Sequence, residues 1–140
     1  MSNGLNLRRA AATLAVALLA LVPVVGTAAE TTADIPFSFS VNGATLPPGE
    51  YHISPGVPAP GLVVLRGTRA VLAVTIPTGI RDDREPHLVF QKYGDDYFLR
   101  EVWTIGGSGY QLIETRAERD RREGRKGSAA VPERVVVPTL

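Results

Sequence analysis

Cysteine is absent from this 140-residue chain, and methionine and tryptophan occur only once each. Without thiols the protein cannot form disulfides, thiolate metal sites or a cysteine nucleophile, and it cannot be acylated as a lipoprotein. A charge excess is also missing, since fifteen basic and fourteen acidic residues leave a formal net charge of +1. This balance provides no general attraction to nucleic acid. Stability must therefore come from packing alone.

Long apolar runs are confined to the N-terminus. Two arginines precede an apolar stretch at residues 10–25, and small residues follow at 26–29. This order is typical of a secretory signal peptide. The stretch is shorter than the roughly 20 residues of a spanning helix. We therefore expect a signal peptide at 1–29, cleaved after Ala28 or Ala29, no transmembrane segment afterwards, and a periplasmic or secreted product.

The segment 30–114 has the features of one small β domain. Apolar residues alternate with proline and serine over residues 35–41, which predicts a strand with one buried face. Asn42-Gly43 follows and predicts a tight turn, because both residue types tolerate positive φ. The ten acids and six bases of this segment give it a net charge of −4.

Further short strands are predicted between turns rich in glycine, proline and aspartate. They lie at residues 51–54, 62–66, 70–76, 87–93, 97–104 and 110–114. With no helix between them, they predict an all-β fold, a single antiparallel meander of about seven strands that forms a barrel or sandwich. The segments 62–65 and 71–76 are apolar on both faces, so we expect them to lie centrally or to be covered on both sides.

The chain changes character at residue 115. The charged segment 115–126 has almost no apolar residue and can form a short helix, and 127–140 is expected to be a flexible tail. An edge strand at Arg134 to Val137 is the alternative for that tail. Charges of both signs favour a solvated segment over a nucleic-acid arm, and weak docking to an anionic envelope surface stays open.

The candidates for metal binding are few. The only histidines are His52 and His87, and the acids Asp82, Asp83 and Glu85 precede the second. Their spacing matches no established ligand set. We therefore predict no metal site and no cofactor.

The candidates for catalysis are equally few. Ser108 lies within Gly106-Gly107-Ser108-Gly109. A nucleophile elbow has the pattern G-x-S-x-G, but Tyr110 occupies the position of its second glycine, and no helix is predicted after it. The pair Asp95 and Asp96 falls in a turn, where aspartate is common for its local backbone hydrogen bonds. We predict a hairpin loop at the serine and no catalytic residue.

Aromatic residues cluster in the last hairpins, at Tyr93, Tyr97, Phe98, Trp103 and Tyr110. Such a cluster can line a ligand groove, although cross-strand aromatic pairs more often stabilise a sheet. The candidate ligand-lining residues are Tyr93, Tyr97, Trp103 and Tyr110.

Glu101 is the acid with the most unusual setting in the sequence. Strand alternation places it on the same face as Tyr97, Leu99 and Trp103. If that face is buried, we expect a basic partner from across the sheet, Lys92 or Arg66. Otherwise Glu101 belongs at an edge.

Two motifs, DIPFSFSVNGATLPPGEYHI at 34–53 and LVFQKYGDDYFLREVWTIGGSGYQL at 88–112, carry a family resemblance. Together with TRAERD at 115–120, they make the chain similar to a group of small exported proteins from environmental bacteria. The resemblance implies an exported β domain. It supplies no catalytic or binding residues.

Three functions remain open. The first is a non-enzymatic exported module that contacts a protein or an envelope surface. The second is a small carrier that holds an apolar ligand inside a barrel. The third is a hydrolase or metal-dependent enzyme that uses the two histidines and nearby acids.

Overall fold

The computed structural model describes residues 30–56, 59–81, 85–124 and 132–140. The predicted signal peptide and the aspartates Asp82 and Asp83 lie outside these residues. The described part has ten strands and one helix. The elements are β1 (Thr31–Ile35), β2 (Phe39–Val41), β3 (Ala44–Leu46), β4 (Gly49–Pro55), β5 (Leu62–Arg66), β6 (Ala70–Ile80), β7 (His87–Tyr93), β8 (Asp96–Trp103), β9 (Ser108–Leu112), α1 (Arg116–Gly124) and β10 (Glu133–Pro138). No helix among the described residues is long and apolar enough to cross a membrane.

The all-β prediction is confirmed, but the strand count and several pairings differ from the meander, since β6 pairs with β9 and not with β7. Neighbouring strands follow the order β1-β4-β5-β6-β9-β8, and β8 then pairs with β7 and, in parallel, with β2. β3 adds to β2, and β10 adds to β7. The pairing leaves an open sheet over the described residues, with ten strands instead of about seven.

The first predicted strand is divided in the structure. β1 ends at Ile35 and β2 begins only at Phe39, because Pro36 has no backbone N–H to continue the ladder. The turn predicted at Asn42-Gly43 is present, with φ angles of 49° and 78°. It joins β2 to β3, a short strand that the sequence did not reveal.

The core consists of inward-facing side chains from most strands. Phe39 and Phe90 are fully buried in it and meet edge to face. Phe37 and Tyr97 are partly buried against it, where they stack at 3.8 Å and Phe37 meets Phe90 edge to face. The largest fully buried side chains also include Ile35, Leu46, Ile53, Leu65 and Leu88.

A β-bulge at Arg100 changes the alternation of β8. Val89 pairs with Glu101 but Phe90 pairs with Leu99, so β8 contains one extra residue. Leu99 and Val102 therefore both belong to the core. The prediction that Glu101 shares a face with Leu99 was wrong, because alternation does not show where an extra residue is inserted.

The C-terminal segment includes a helix and a strand. α1 occupies much of the charged segment, as the sequence allowed. In the tail, the structure contains an edge strand, which was the alternative to a flexible segment: β10 pairs with β7 over six residues. Val137 is buried in the core and Val135 packs partly against it. This apolar contact offsets the entropy lost on ordering the segment.

Candidate functional site

Three aliphatic side chains project from the outer face of β6. Leu72, Val74 and Ile76 are 43%, 52% and 55% exposed, whereas the alternating Ala73 and Thr75 are buried. β6 lies between β5 and β9, as predicted for a strand that is apolar on both faces. Of the two expected arrangements, a central position or coverage on both sides, the structure therefore has the first, and no described segment covers the outer face of β6.

Ile113 extends this surface beside the end of β9. Its backbone N–H donates to the Val74 carbonyl at 3.3 Å, and its side chain is 53% exposed. Leu72, Val74, Ile76 and Ile113 are called the apolar strip below. Exposed aliphatic residues are ordinary when scattered, but contiguous ones often indicate an interaction site.

A surface groove of about 440 Å³ adjoins the apolar strip. Val74 and Ile113 belong to both, and Ala73 and Leu112 complete the apolar floor. The walls come from the β2–β3 turn at 42–43 and from residues 114–117, which lead into α1 and form its start. The groove is large enough to accept side chains of another molecule.

Two side-chain hydrogen bonds hold the β2–β3 hairpin at the side of this groove. Asn42 Nδ2 donates to the Leu72 carbonyl at 2.8 Å, and an Arg69 guanidinium nitrogen donates to the Thr45 carbonyl at 2.7 Å. The first bond connects the β2–β3 turn to β6, and the second connects β3 to the residue before β6; no ladder joins the hairpin to β6. The groove wall is therefore tied to the strand that carries the strip.

Three exposed arginines lie near the start of β6 or in the groove beside the apolar strip. Arg66 and Arg69 are exposed near the start of β6, and Arg116 is exposed on the groove wall. Over the described residues these three arginines make no ion pair, whereas Glu114 nearby is engaged by Arg122 at 3.1 Å. Arg66, Arg69 and Arg116 are therefore the described basic side chains that a partner's carboxylates could meet here.

α1 forms one wall of the groove although it has almost no apolar side chains. Thr115 caps its first turn, accepting a hydrogen bond from the Glu118 N–H at 3.3 Å. The only buried residue of α1 is Glu118, 3% exposed, which pairs with Arg100 of β8 at 3.2 Å. Burial raises the pKa of the Glu118 carboxyl above its usual value, against the opposite effect of Arg100.

Two aromatic side chains of the β7–β8 hairpin lie close to α1. Tyr93 and Phe98 contact each other edge to face at 5.8 Å and are almost fully buried. Phe98 adjoins a small gap shared with Thr115 and Glu118. Burial, together with the charges of Glu118 and Glu114, raises the pKa of the Tyr93 phenol.

The four candidate ligand-lining aromatics do not meet at one point. Tyr93 packs with Phe98, whereas Tyr97 stacks on Phe37 and contacts the core. Trp103 is buried against His87, with the Arg81 guanidinium 4.9 Å from its ring centre.

Tyr110 alone among these four lines one of the larger grooves. This second groove, of about 370 Å³, lies between the loop at 60–61 and the end of β6 at Ile80. Its walls are mostly glycine and proline, so it offers few side-chain groups to hold a ligand in one orientation.

Glu101 has different partners from those the sequence suggested. The Trp103 Nε1–H donates to its carboxylate at 2.8 Å, and Arg134 of β10 lies 3.9 Å away. The expected partners, Lys92 and Arg66, are placed elsewhere, with Lys92 beside Glu133. The glutamate is half-buried and structural.

The two histidines occupy different strands and surroundings. His52 is exposed on β4 between Glu30 and Glu50, at 3.6 and 3.7 Å. His87 is buried at the start of β7, where its Nδ1 lies 2.7 Å from the Glu85 carbonyl. Among the described residues, no group of three or more histidine, aspartate or glutamate side chains is arranged to hold a metal ion.

The predicted hairpin loop at Gly-Gly-Ser-Gly is present between β8 and β9. Gly106 and Gly107 have φ angles of 93° and 81°, and Thr104 N–H bonds to the Ser108 carbonyl at 3.0 Å. The described contacts give Ser108 no histidine neighbour that could act as a base.

Sequence reasoning did not identify the apolar strip as a site. The apolar character of both faces at residues 71–76 is visible in the sequence, but it predicts a central or covered strand and does not by itself indicate an exposed surface. Comparisons with protein-family models, curated proteins and solved structures found no match.

Proposed function

We propose that this protein is an exported, non-enzymatic module that binds another protein through the apolar strip and its groove. The observation that carries the proposal is the half-exposed row Leu72, Val74 and Ile76 on a strand that lies within the sheet. A sheet face that meets only water normally carries polar side chains. Its aliphatic character is therefore best explained by a partner.

The shape of the surface favours a protein over a lipid bilayer. The strip side chains are already half-shielded by their neighbours, so they do not protrude as residues that enter a membrane do. The adjoining groove of about 440 Å³ suits an anchoring side chain, the usual centre of a protein interface. A flat lipid surface would leave that groove unfilled.

The charges near the strip indicate the chemistry of the partner. Arg66, Arg69 and Arg116 lie at its edge, and Glu114 is already engaged by Arg122. A partner with apolar residues at its centre and carboxylates at its rim would complement both features. Export is part of the proposal, and the order of charges and apolar residues before residue 30 supports it.

The carrier is the weaker alternative. The backbone N–H of Leu140 donates to the Thr32 carbonyl at 2.8 Å, which brings the chain after β10 next to β1. This contact supports a barrel in which β10 and β1 meet. Its interior, however, is occupied by side chains such as Phe39 and Phe90, and the larger grooves open to solvent. An internal ligand would have to displace them.

Cross-linking in producing cells tests the proposal. A photoreactive amino acid replacing Ile76 should form a discrete adduct with one protein, identified by mass spectrometry. The same amino acid replacing Ile105, which is exposed in the β8–β9 loop and lines neither groove, should not form it. The Val74→Asp change should abolish the adduct, and Val136→Asp, at an exposed valine of β10, should leave it unchanged.

Two results would reject the proposal. One is the absence of any adduct specific to position 76. The other is binding of the purified protein to anionic phospholipid vesicles that Val74→Asp abolishes, because the strip would then be a lipid-binding surface.

A further inference from the structure

The contacts of α1 raise the question of what keeps this helix in place. α1 has nine residues, and Ala117 is its only apolar side chain. Isolated helices shorter than about 12 residues are marginal in water, and most helices in proteins are stabilised by an apolar face. α1 has no such face, so its position depends on charged contacts.

Two of these charged contacts join α1 to the sheet. Arg100 of β8 meets the buried Glu118, and Asp96 at the start of β8 meets Arg121 at 3.0 Å. The second pair is exposed and contributes little in water. The first carries a desolvation cost that offsets much of its attraction. Together the two ion pairs attach α1 only weakly to the sheet.

The helix nevertheless lies over groups that would otherwise form an attractive surface. Tyr93 and Phe98 are nearly fully buried beside it, and the Arg100 guanidinium lies next to them. Removing α1 would take away Glu118, which pairs with Arg100 and adjoins Phe98, so we expect it to expose Arg100, Phe98 and the adjacent Tyr93. This surface is continuous with the groove of the apolar strip, because residues 115–117 form the groove wall.

We propose that α1 is a displaceable cover, and that the surface beneath it takes a partner segment in which a carboxylate is flanked by apolar side chains. Glu118 already supplies the carboxylate, but α1 supplies no large apolar group for Tyr93 and Phe98. A partner segment with both would make the contact with Arg100 and also bury the rings. The inference deepens the proposed function, on which it rests, since the same partner would occupy the strip and this surface.

The first test compares two arginine changes on α1 by hydrogen exchange of the purified protein. Arg121→Glu replaces the pair with Asp96 by a repulsion across the α1–β8 contact. Arg119→Glu is the matched control, because Arg119 lies 3.9 Å from Glu114, which precedes the helix, and makes no ion pair with β8. We expect α1 amides to exchange about threefold to tenfold faster in Arg121→Glu only, with the sheet amides unchanged.

Added salt gives the same test without a substitution. Sodium chloride screens exposed pairs, so it should speed exchange of the wild-type α1 amides while the sheet stays protected. The inference is overturned if α1 amides exchange only together with the sheet amides, or if Arg121→Glu and Arg119→Glu behave alike.

The second test probes the exposed surface with anilinonaphthalene sulfonate, an aromatic anion whose fluorescence rises in apolar sites. Arg121→Glu should bind the dye more than Arg119→Glu does. Adding Arg100→Gln to Arg121→Glu should weaken dye binding severalfold, because the anion loses its cation. Equal dye binding with and without Arg100 would reject the prediction that the partner segment contacts Arg100 through a carboxylate. If Arg121→Glu leaves hydrogen exchange of the α1 amides unchanged while position 76 still forms its cross-link, this inference is rejected and the proposed function is not.

Discussion

Glu118 is the residue whose ionisation is most closely linked to the fold. Its carboxyl is buried, and its pKa in the folded protein is raised mainly by that burial. A raised folded pKa means that the folded state binds the proton more tightly than the unfolded state does. The stability contributed by the proton is present at low pH and is lost as the pH rises through the folded pKa.

The first prediction concerns Glu118→Gln, which mimics the protonated side chain. The free energies of unfolding of variant and wild type should be similar at low pH. Above the usual glutamate pKa the variant should become progressively more stable than the wild type, because only the wild type then buries an ionised carboxyl. Urea unfolding over a pH series measures the difference. A wild type that becomes the more stable protein at neutral pH would show that the Arg100 pair outweighs burial.

The second prediction concerns Gly109, which pairs across strands with Trp103. A Cβ at this position would lie 2.5 Å from the tryptophan ring and from the Thr78 hydroxyl, both closer than real contacts allow. Gly109→Ala should therefore lower the free energy of unfolding by about 1–3 kcal/mol. Gly124→Ala is the control, since nothing lies within 4 Å of that position, and it should have little effect in the same denaturation experiment.

At the scale of elements, β10 shows how a short segment is fixed by one face. Val137 is buried against the core, whereas its neighbour Val136 is 48% exposed. The same valine-to-aspartate change should therefore lower the stability of the protein strongly at Val137 and very little at Val136.

This third prediction is measured by thermal and chemical unfolding. Val137→Asp should destabilise the protein by about 2–4 kcal/mol, because it buries an unpaired charge. Val136→Asp should stay within about 0.5 kcal/mol of wild type. Equal losses would mean that the register of β10 on β7 is different from the one described.

Elements also show what the sequence could and could not predict. The Asn42-Gly43 turn and the β7–β8 hairpin follow from local turn chemistry, and both are present. The bulge at Arg100 and the single parallel pair between Ser40 and Phe98 depend on contacts between distant parts of the chain. Local patterns contain no information about such contacts.

At the scale of the whole molecule, the sequence located the apolar strands but not their surroundings. Residues 70–76 were correctly expected to lie within the sheet. Whether their second face is covered depends on what packs there, which periodicity alone does not determine. The aromatic candidates illustrate the same limit, because Tyr93 and Tyr97 are four residues apart yet pack against different groups.

The affinity of the cross-linked partner tests the central claim most directly. Isothermal titration would compare wild-type protein with Val74→Asp and with Val136→Asp, each changing one exposed valine to aspartate. We predict that Val74→Asp weakens binding by about tenfold or more, as expected for a residue at the centre of an interface, and that Val136→Asp binds like wild type. Equal affinities for all three proteins would contradict the assignment of the apolar strip as the binding surface.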